Sequence, residues 1–150
     1  MADLQPMVHA ERRLLADFLD TLPPEQWSAA TWCDKWNVQD LVGHLTAVHD
    51  RMLPLLGLGE RLHPELDEIY ITNPDRALPD SASDLKQAWS EVNTRLTAAF
   101  EKLTPQQWLE KHTAVSDEDF AKDPTRNRLA VLLSRTNHVA FHTGQAALVK

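Results

Sequence analysis

His138 and His142 stand four residues apart in Asn137-His138-Val139-Ala140-Phe141-His142-Thr143-Gly144-Gln145. On an α-helix that spacing puts both imidazoles on one face, with Cβ atoms about 5–6 Å apart. Two neutral imidazoles so placed can share one divalent ion, and the same spacing recurs in helical zinc sites. Imidazole suits zinc and nickel alike, so ligand type does not choose between them. A third ligand must come from another segment, and the run Val38-Gln39-Asp40-Leu41-Val42-Gly43-His44-Leu45 offers one. The plain alternative is a pair of hydrogen-bonded or surface histidines.

On a helical wheel His138, His142 and Gln145 fall within about one-sixth of a turn, with Val131 and Phe141 alongside, an arc expected to face inward. Gln145 could orient a ligand histidine through its far ring nitrogen or make an ordinary structural hydrogen bond. The second run is less clear. Its apolar arc is Val38, Leu41, Val42, Leu45, Val48 and Met52, with His49 near the centre and His44 at the edge. Periodicity alone therefore favours His49 as the inward-facing histidine. Gly144 reads as a close helix-packing position. His9, His63 and His112 carry no motif and are expected to face solvent. Cys33 has no partner base and is not expected to be a nucleophile. No acidic residue is placed by motif as a general base; Asp40 and Asp50 are the candidates.

Four helices must position these residues. The first pattern runs from about Leu4 to Leu19, with Asp3 as cap and Met7, Leu14, Leu15 and Phe18 on one stripe. Pro23 and Pro24 end it. The second is capped by Asn37 with Asp40 at the third helical position, Trp36 and Leu41 can staple across the cap, and the helix runs to about Leu53. A third starts near Ser81 and Asp84 and carries Leu85, Trp89, Val92, Leu96, Phe100 and Leu103 at three- and four-residue intervals. The fourth starts near Asp123-Pro124 and passes through Leu129, Leu132, His138 and Phe141. Ile69-Tyr70-Ile71-Thr72 is the one β-looking run, too short to found a sheet.

Leu22-Pro23-Pro24-Glu25-Gln26-Trp27 after the first helix is echoed by Leu103-Thr104-Pro105-Gln106-Gln107-Trp108 after the third. The chain reads as two helix–turn–loop–helix units, with Trp27, Trp36 and Trp108 pinning the joints. Segments 54–80 and 109–122 are long connections of the kind that cover sites or partner surfaces.

Composition sets the outer bounds. The 150 residues suit a single domain, 1–150, with a real core. A hydrophobic content of 43% and a charged content of 25% are those of an ordinary globular chain. A net charge of −7 argues against nucleic acid or an anionic membrane as partner. No apolar run approaches the roughly 20 residues that span a bilayer. One cysteine precludes an intrachain disulfide framework, and the first residues lack a signal-peptide pattern. A cytoplasmic protein is expected. Leu55, Leu56 and Leu58, apolar residues outside the main stripes, suggest a homodimer interface.

Trp36-Asn37-Val38-Gln39-Asp40-Leu41-Val42-Gly43-His44-Leu45, followed by Asn137-His138-x-x-x-His142-Thr143-Gly144-Gln145, resembles the DinB-like superfamily. That group includes the YfiT-like proteins and the mycothiol-dependent maleylpyruvate isomerase N-terminal domain. The resemblance covers nearly the whole chain, including the Leu-x-Pro-x-Gln-Trp joints. It implies an all-α, four-helix bundle of up-down-down-up topology with a divalent metal held by three histidines. Matched by motif, the ligands are His44, His138 and His142; an edge position for His44 suits a site at a cleft mouth, and His49 remains its competitor. Some members are thiol-dependent transferases or isomerases using mycothiol, bacillithiol or glutathione. Many relatives carry arginine where this chain has Thr143.

Three functions follow. The first is a metal- and thiol-dependent transferase or isomerase acting on a small electrophile. The second is a metal-dependent hydrolase without a thiol. The third is a non-catalytic bundle that binds a small ligand or a partner. An inward-facing polar trio of His138, His142 and Gln145 favours the first two, because burying such groups unsatisfied costs about 1–3 kcal/mol each.

Overall fold

The structure is a computed structural model that describes residues 5–32, 36–72 and 82–148, with side chains described from residue 9 onward. Four long helices dominate: α1 (Gln5–Thr21), α2 (Val38–Asp50), α3 (Ala82–Phe100) and α4 (Arg128–Ala147). No strand occurs among the described residues, which hold only the isolated bridges Ala30–Asn37 and Lys111–Asn127. The all-helical expectation is met. Both α1 and α2 pack against α3 and α4, so each helix has two principal neighbours. No helix of the described residues is long and apolar enough to cross a membrane.

The start of α2 follows its sequence signals closely. The Asn37 side chain accepts from the Asp40 backbone N–H at 2.8 Å, and the Asp40 carboxylate accepts from the Asn37 N–H at 3.1 Å. Two otherwise orphaned donors are satisfied reciprocally. The helix ends at Asp50, and a further turn over Met52–Leu55 carries the chain to Gly57. Asp50 is fully buried and accepts from Leu62 N–H, His63 N–H and Arg61 Nε at 2.8, 3.0 and 3.1 Å. These bonds fasten the following loop. Asp40 and Asp50 are thus structural groups with engaged carboxylates, and neither is free to act as a general base.

The α3 stripe is core. Leu85, Trp89, Val92, Leu96 and Phe100 are all buried, while Leu103 is partly so; Ser81 lies outside the described residues. Phe100 meets the Trp108 ring edge-on, with centroids 5.2 Å apart, an arrangement worth about 0.5–1.5 kcal/mol beyond area burial. The two echoed joints each form a short helical turn, Pro24–Ser28 and Pro105–Trp108, which sets Trp27 and Trp108 into the core.

Other expectations need correction. Leu14 is 56% exposed, whereas Arg12, Leu15 and Leu19 are buried. A buried arginine, its guanidinium 5.1 Å over the Phe100 ring, occupies the inward stripe and displaces the apparent apolar face; the Met7 side chain and the Asp3 cap lie outside the described residues. Helix α4 begins at Arg128, not at Asp123. Asn127 caps it by accepting from Ala130 N–H, while Asp123 binds Thr125 in the turn before. Leu56 is buried, and Leu55 and Leu58 are partly covered within their own chain. Gly144 meets nothing within 4 Å where a Cβ would stand, so it is not a packing position. His9, His63 and His112 are half-buried rather than solvent-facing.

The long connections contain structure. Residues Glu65–Asp67 and Glu68–Thr72 form consecutive helical turns, the latter of π type, in place of the β-looking run. Asp117–Lys122 is a short helix capped by Ser116.

Candidate metal centre

His44 lies in the second turn of α2, and His138 and His142 lie one turn apart on α4, which packs against it. The three rings converge. Nε2 of His138 is 3.3 Å from Nε2 of His44 and 3.0 Å from Nε2 of His142, and the ligand atoms of all three lie within 4.8 Å of one another. Four ligands around zinc at about 2.0–2.1 Å would stand roughly 3.3 Å apart, close to the two shorter separations.

The outer nitrogens show how two of these rings are held. His44 Nδ1–H donates to the Tyr70 carbonyl at 3.3 Å, and His142 Nδ1–H donates to Gln145 Oε1 at 2.5 Å. With the proton on Nδ1, each Nε2 presents a bare lone pair inward. His138 Nε2 faces both, and a proton there could serve one neighbour while opposing the other to an unscreened lone pair. The His138 Nδ1 atom is itself buried and has no hydrogen-bond partner. A cation among the three Nε2 atoms resolves the mismatch, so the residues present fit a divalent ion.

The protonation states agree. Burial lowers the His138 pKa to about 4, and the charges of His142, His44 and Arg135 push the same way. Burial also lowers His44, and it lowers His142 against the opposing bond from Gln145. All three are neutral at pH 7, the form a metal requires.

Aromatic groups wall the site. The Trp36 ring sits 4.8 Å from His44 and 6.2 Å from His142, and Phe141 stands 5.2 Å from His142. Phe141 is 63% exposed, against the expectation that it faces inward. Gly43, immediately before His44, lets the Tyr70 ring approach: a Cβ there would lie 2.4 Å from Tyr70 Cε1 and Cζ.

His49 is elsewhere. Five residues on from His44, it is rotated about 140° around the helix, is buried, contacts the Trp89 ring at 4.9 Å and shares a 3.2 Å contact between Nδ1 and Asn93 Oδ1. The periodicity that favours His49 as inward-facing is right about burial, and the burial is against α3. A groove of about 740 Å³ between α1 and α3 is lined by Arg12, Arg13, Lys86 and Asn93 among others and by none of the three converging histidines.

Two contributors escape sequence reasoning. Tyr70 acts through its backbone carbonyl, which no side-chain pattern reveals. Arg135, one turn before His138, carries no motif. The Thr143 hydroxyl, next to His142, is buried without a hydrogen-bond partner, and Cys33 lies outside the described residues.

Residues 8–131 match the family described as the mycothiol maleylpyruvate isomerase N-terminal domain. The match includes His44 and ends before His138 and His142. Among solved structures, a histidine-to-alanine mutant of the mycothiol-dependent maleylpyruvate isomerase is similar at a TM-score of 0.71 with 12% identity, over 97% of this chain and 60% of that one. A second crystal structure of the mycothiol-dependent maleylpyruvate isomerase gives 0.66 with 13% identity, over 95% and 58%. At such identity the likeness is one of fold. The chain spans about 60% of the length of these structures. No curated protein matches the chain.

Proposed function

The chain belongs to the mycothiol maleylpyruvate isomerase N-terminal domain family, and from that premise we propose that it binds a divalent metal, zinc or nickel, through His44, His138 and His142. The further proposal is that it uses a low-molecular-weight thiol to transfer to, or isomerise, a small electrophilic substrate. The observation that carries the metal reading is the convergence of three Nε2 atoms whose outer nitrogens are held on two of the three rings.

Three neutral nitrogen ligands leave a coordination position open, as in catalytic rather than structural zinc sites. When bound, the ion would supply Lewis acidity that lowers the pKa of a ligated thiol or water. The chain's own residues do the rest. Tyr70 and Gln145 keep the His44 and His142 protons on Nδ1. Trp36 and Phe141 give a substrate an apolar surface beside the imidazoles and restrict water.

A single domain, a homodimeric state and the up-down-down-up course of the helices are parts of the same proposal. The course is supported by contacts that pair opposite ends of α1 and α3, Asp20 with Lys86 and His9 with Thr97. A shared direction for α2 and α3 is supported by the clustering of Val38 and Leu41 with Leu85 and Trp89, and of Met52 and Leu53, just past α2, with Leu96 and Phe100.

Calorimetric titration with mycothiol tests the thiol reading. Zinc-loaded protein should bind it, and EDTA-stripped protein and His142→Ala should bind at least about tenfold more weakly, given the usual worth of a lost ligand shell. Equal binding by all three would remove the metal from thiol recognition.

A further inference from the structure

All four long helices contribute to a small polar chamber apart from the histidine cluster. Glu11 and Arg12 of α1, His49 of α2, and Arg135 and Thr136 of α4 line it, and Phe100 of α3 is among the apolar residues that close it. None of His44, His138 and His142 lines it. The room it leaves for the centre of a water molecule is about 10 Å³, the lower end of what one buried water requires.

The tautomer of His49 fixes what the chamber demands. Asn93 Nδ2 donates to the Trp89 carbonyl at 2.7 Å, which turns Asn93 Oδ1 toward His49 Nδ1, 3.2 Å away. An amide oxygen only accepts, so Nδ1 carries the ring proton and Nε2 is a bare lone pair. Asn93 does not line the chamber, so the ring edge that His49 turns into it is the one away from Nδ1. His49 is 3% exposed, and its Nε2 atom is buried without a hydrogen-bond partner among the described residues.

The other polar groups supply mainly donors. A guanidinium has five N–H donors and no acceptor. Arg12 is 5% exposed and directs Nη2 to His9 Nδ1 at 2.9 Å. Thr136 donates its hydroxyl proton to the Leu132 carbonyl at 2.9 Å, so its oxygen can only accept a further bond. A halide would accept from the guanidiniums and give nothing to the imidazole lone pair. A cation would meet the lone pair and be repelled by two arginines. A neutral molecule that both donates and accepts, at the size of one heavy atom, meets every demand.

We propose that one water molecule is held in this chamber as part of the bundle. It donates to His49 Nε2 and to the Thr136 hydroxyl oxygen and accepts from a guanidinium N–H, the three bonds typical of a buried water. The water links α2 to α1 and α4 through their polar groups. It neither contains nor requires the ion of the histidine cluster.

Two measurements on the full chain test this, each with zinc-loaded and EDTA-stripped protein. Cross-relaxation between water and the ¹³C,¹⁵N-labelled protein locates a bound water, and ¹⁷O relaxation dispersion counts the long-lived ones. Wild type should show a water contact at the His49 ring with Nε2 unprotonated, alike with and without zinc. His49→Leu should hold one long-lived water fewer. Thr136→Val should shorten the residence time about tenfold, the effect of one lost hydrogen bond. Absence of the contact in wild type overturns the proposal whether or not the variants fold, and so does an equal count of waters in wild type and folded His49→Leu. An unchanged residence time in Thr136→Val removes that residue from the site. Bromide located in the chamber by anomalous scattering would replace the water with an anion and overturn the assignment.

Discussion

Gly43 lies directly beneath the ring of Tyr70, so close that a methyl group at Gly43 would overlap Cε1 and Cζ at 2.4 Å. Tyr70 is buried to within 2% of its surface and offers its carbonyl to His44. The missing side chain at one position thereby sets the orientation of the histidine beside it. Gly43→Ala should destabilise the fold by about 1–3 kcal/mol, as overpacking does, and weaken metal binding. Gly144→Ala, on the same protein, should be neutral or stabilising by up to about 1 kcal/mol because it removes a helical glycine with open space around it. Urea unfolding of the two variants checks the contrast; a Gly43→Ala protein as stable and as metal-competent as wild type would contradict it.

Leu96 is fully buried and Leu14 is 56% exposed. Leu96→Ala should cost about 2–5 kcal/mol, and Leu14→Ala less than about 0.5 kcal/mol. Chemical denaturation of both variants reads the register of α1 and α3 directly, and comparable losses would mean that the α1 face is misassigned.

Burial, assisted by the charge of Arg12, holds the His49 pKa down at about 3. An unfolded histidine titrates near 6.5, so below that pH the unfolded chain takes the proton first. The His49 contribution is therefore constant above about pH 6.5 and turns against the fold as pH drops toward about 3, with a slope of at most about 1.4 kcal/mol per pH unit. In EDTA-stripped protein, the stability lost between about pH 7 and pH 5 should be smaller for His49→Gln than for wild type. An identical loss would place His49 in contact with bulk water.

Gln145 reaches His142 Nδ1 at 2.5 Å. Gln145→Ala leaves all three ring ligands in place, yet metal affinity should fall about 10–100-fold, the usual effect of losing a histidine's supporting partner. Competition with a chromophoric chelator measures it. Unchanged affinity would reduce the Gln145 contact to a structural one.

The parts of this protein legible in its sequence are those governed by local chemistry. The Asn37–Asp40 capping box and the α3 stripe involve residues within a few positions of each other, and they appear as expected. Arg12 defeats the pattern on α1 because a charged side chain on the buried stripe counts as polar, although its stem and guanidinium pack on Phe100. Asp123-Pro124 carries a start signal, and Asn127 takes the cap because Arg128 N–H is drawn to the Glu110 carbonyl, a tertiary contact. At the site, the His138–His142 spacing is visible, whereas the choice between His44 and His49 depends on which neighbouring helix each one faces. Hydrophobic periodicity reports burial and is silent on the neighbour. The Tyr70 carbonyl belongs to the backbone of a distant connection and leaves no trace in side-chain patterns.

The central claim is that His44, His138 and His142 hold one divalent ion, and metal analysis after equilibrium dialysis against zinc tests it most directly. Wild type and His49→Gln should each retain one zinc per chain, while His44→Ala, His138→Ala and His142→Ala should lose stoichiometric zinc and keep their helical spectra, because the cores around Leu45 and Leu96 are apolar and independent of the ion. Zinc retained by the His142→Ala protein, or lost by His49→Gln and kept by His44→Ala, would contradict the account.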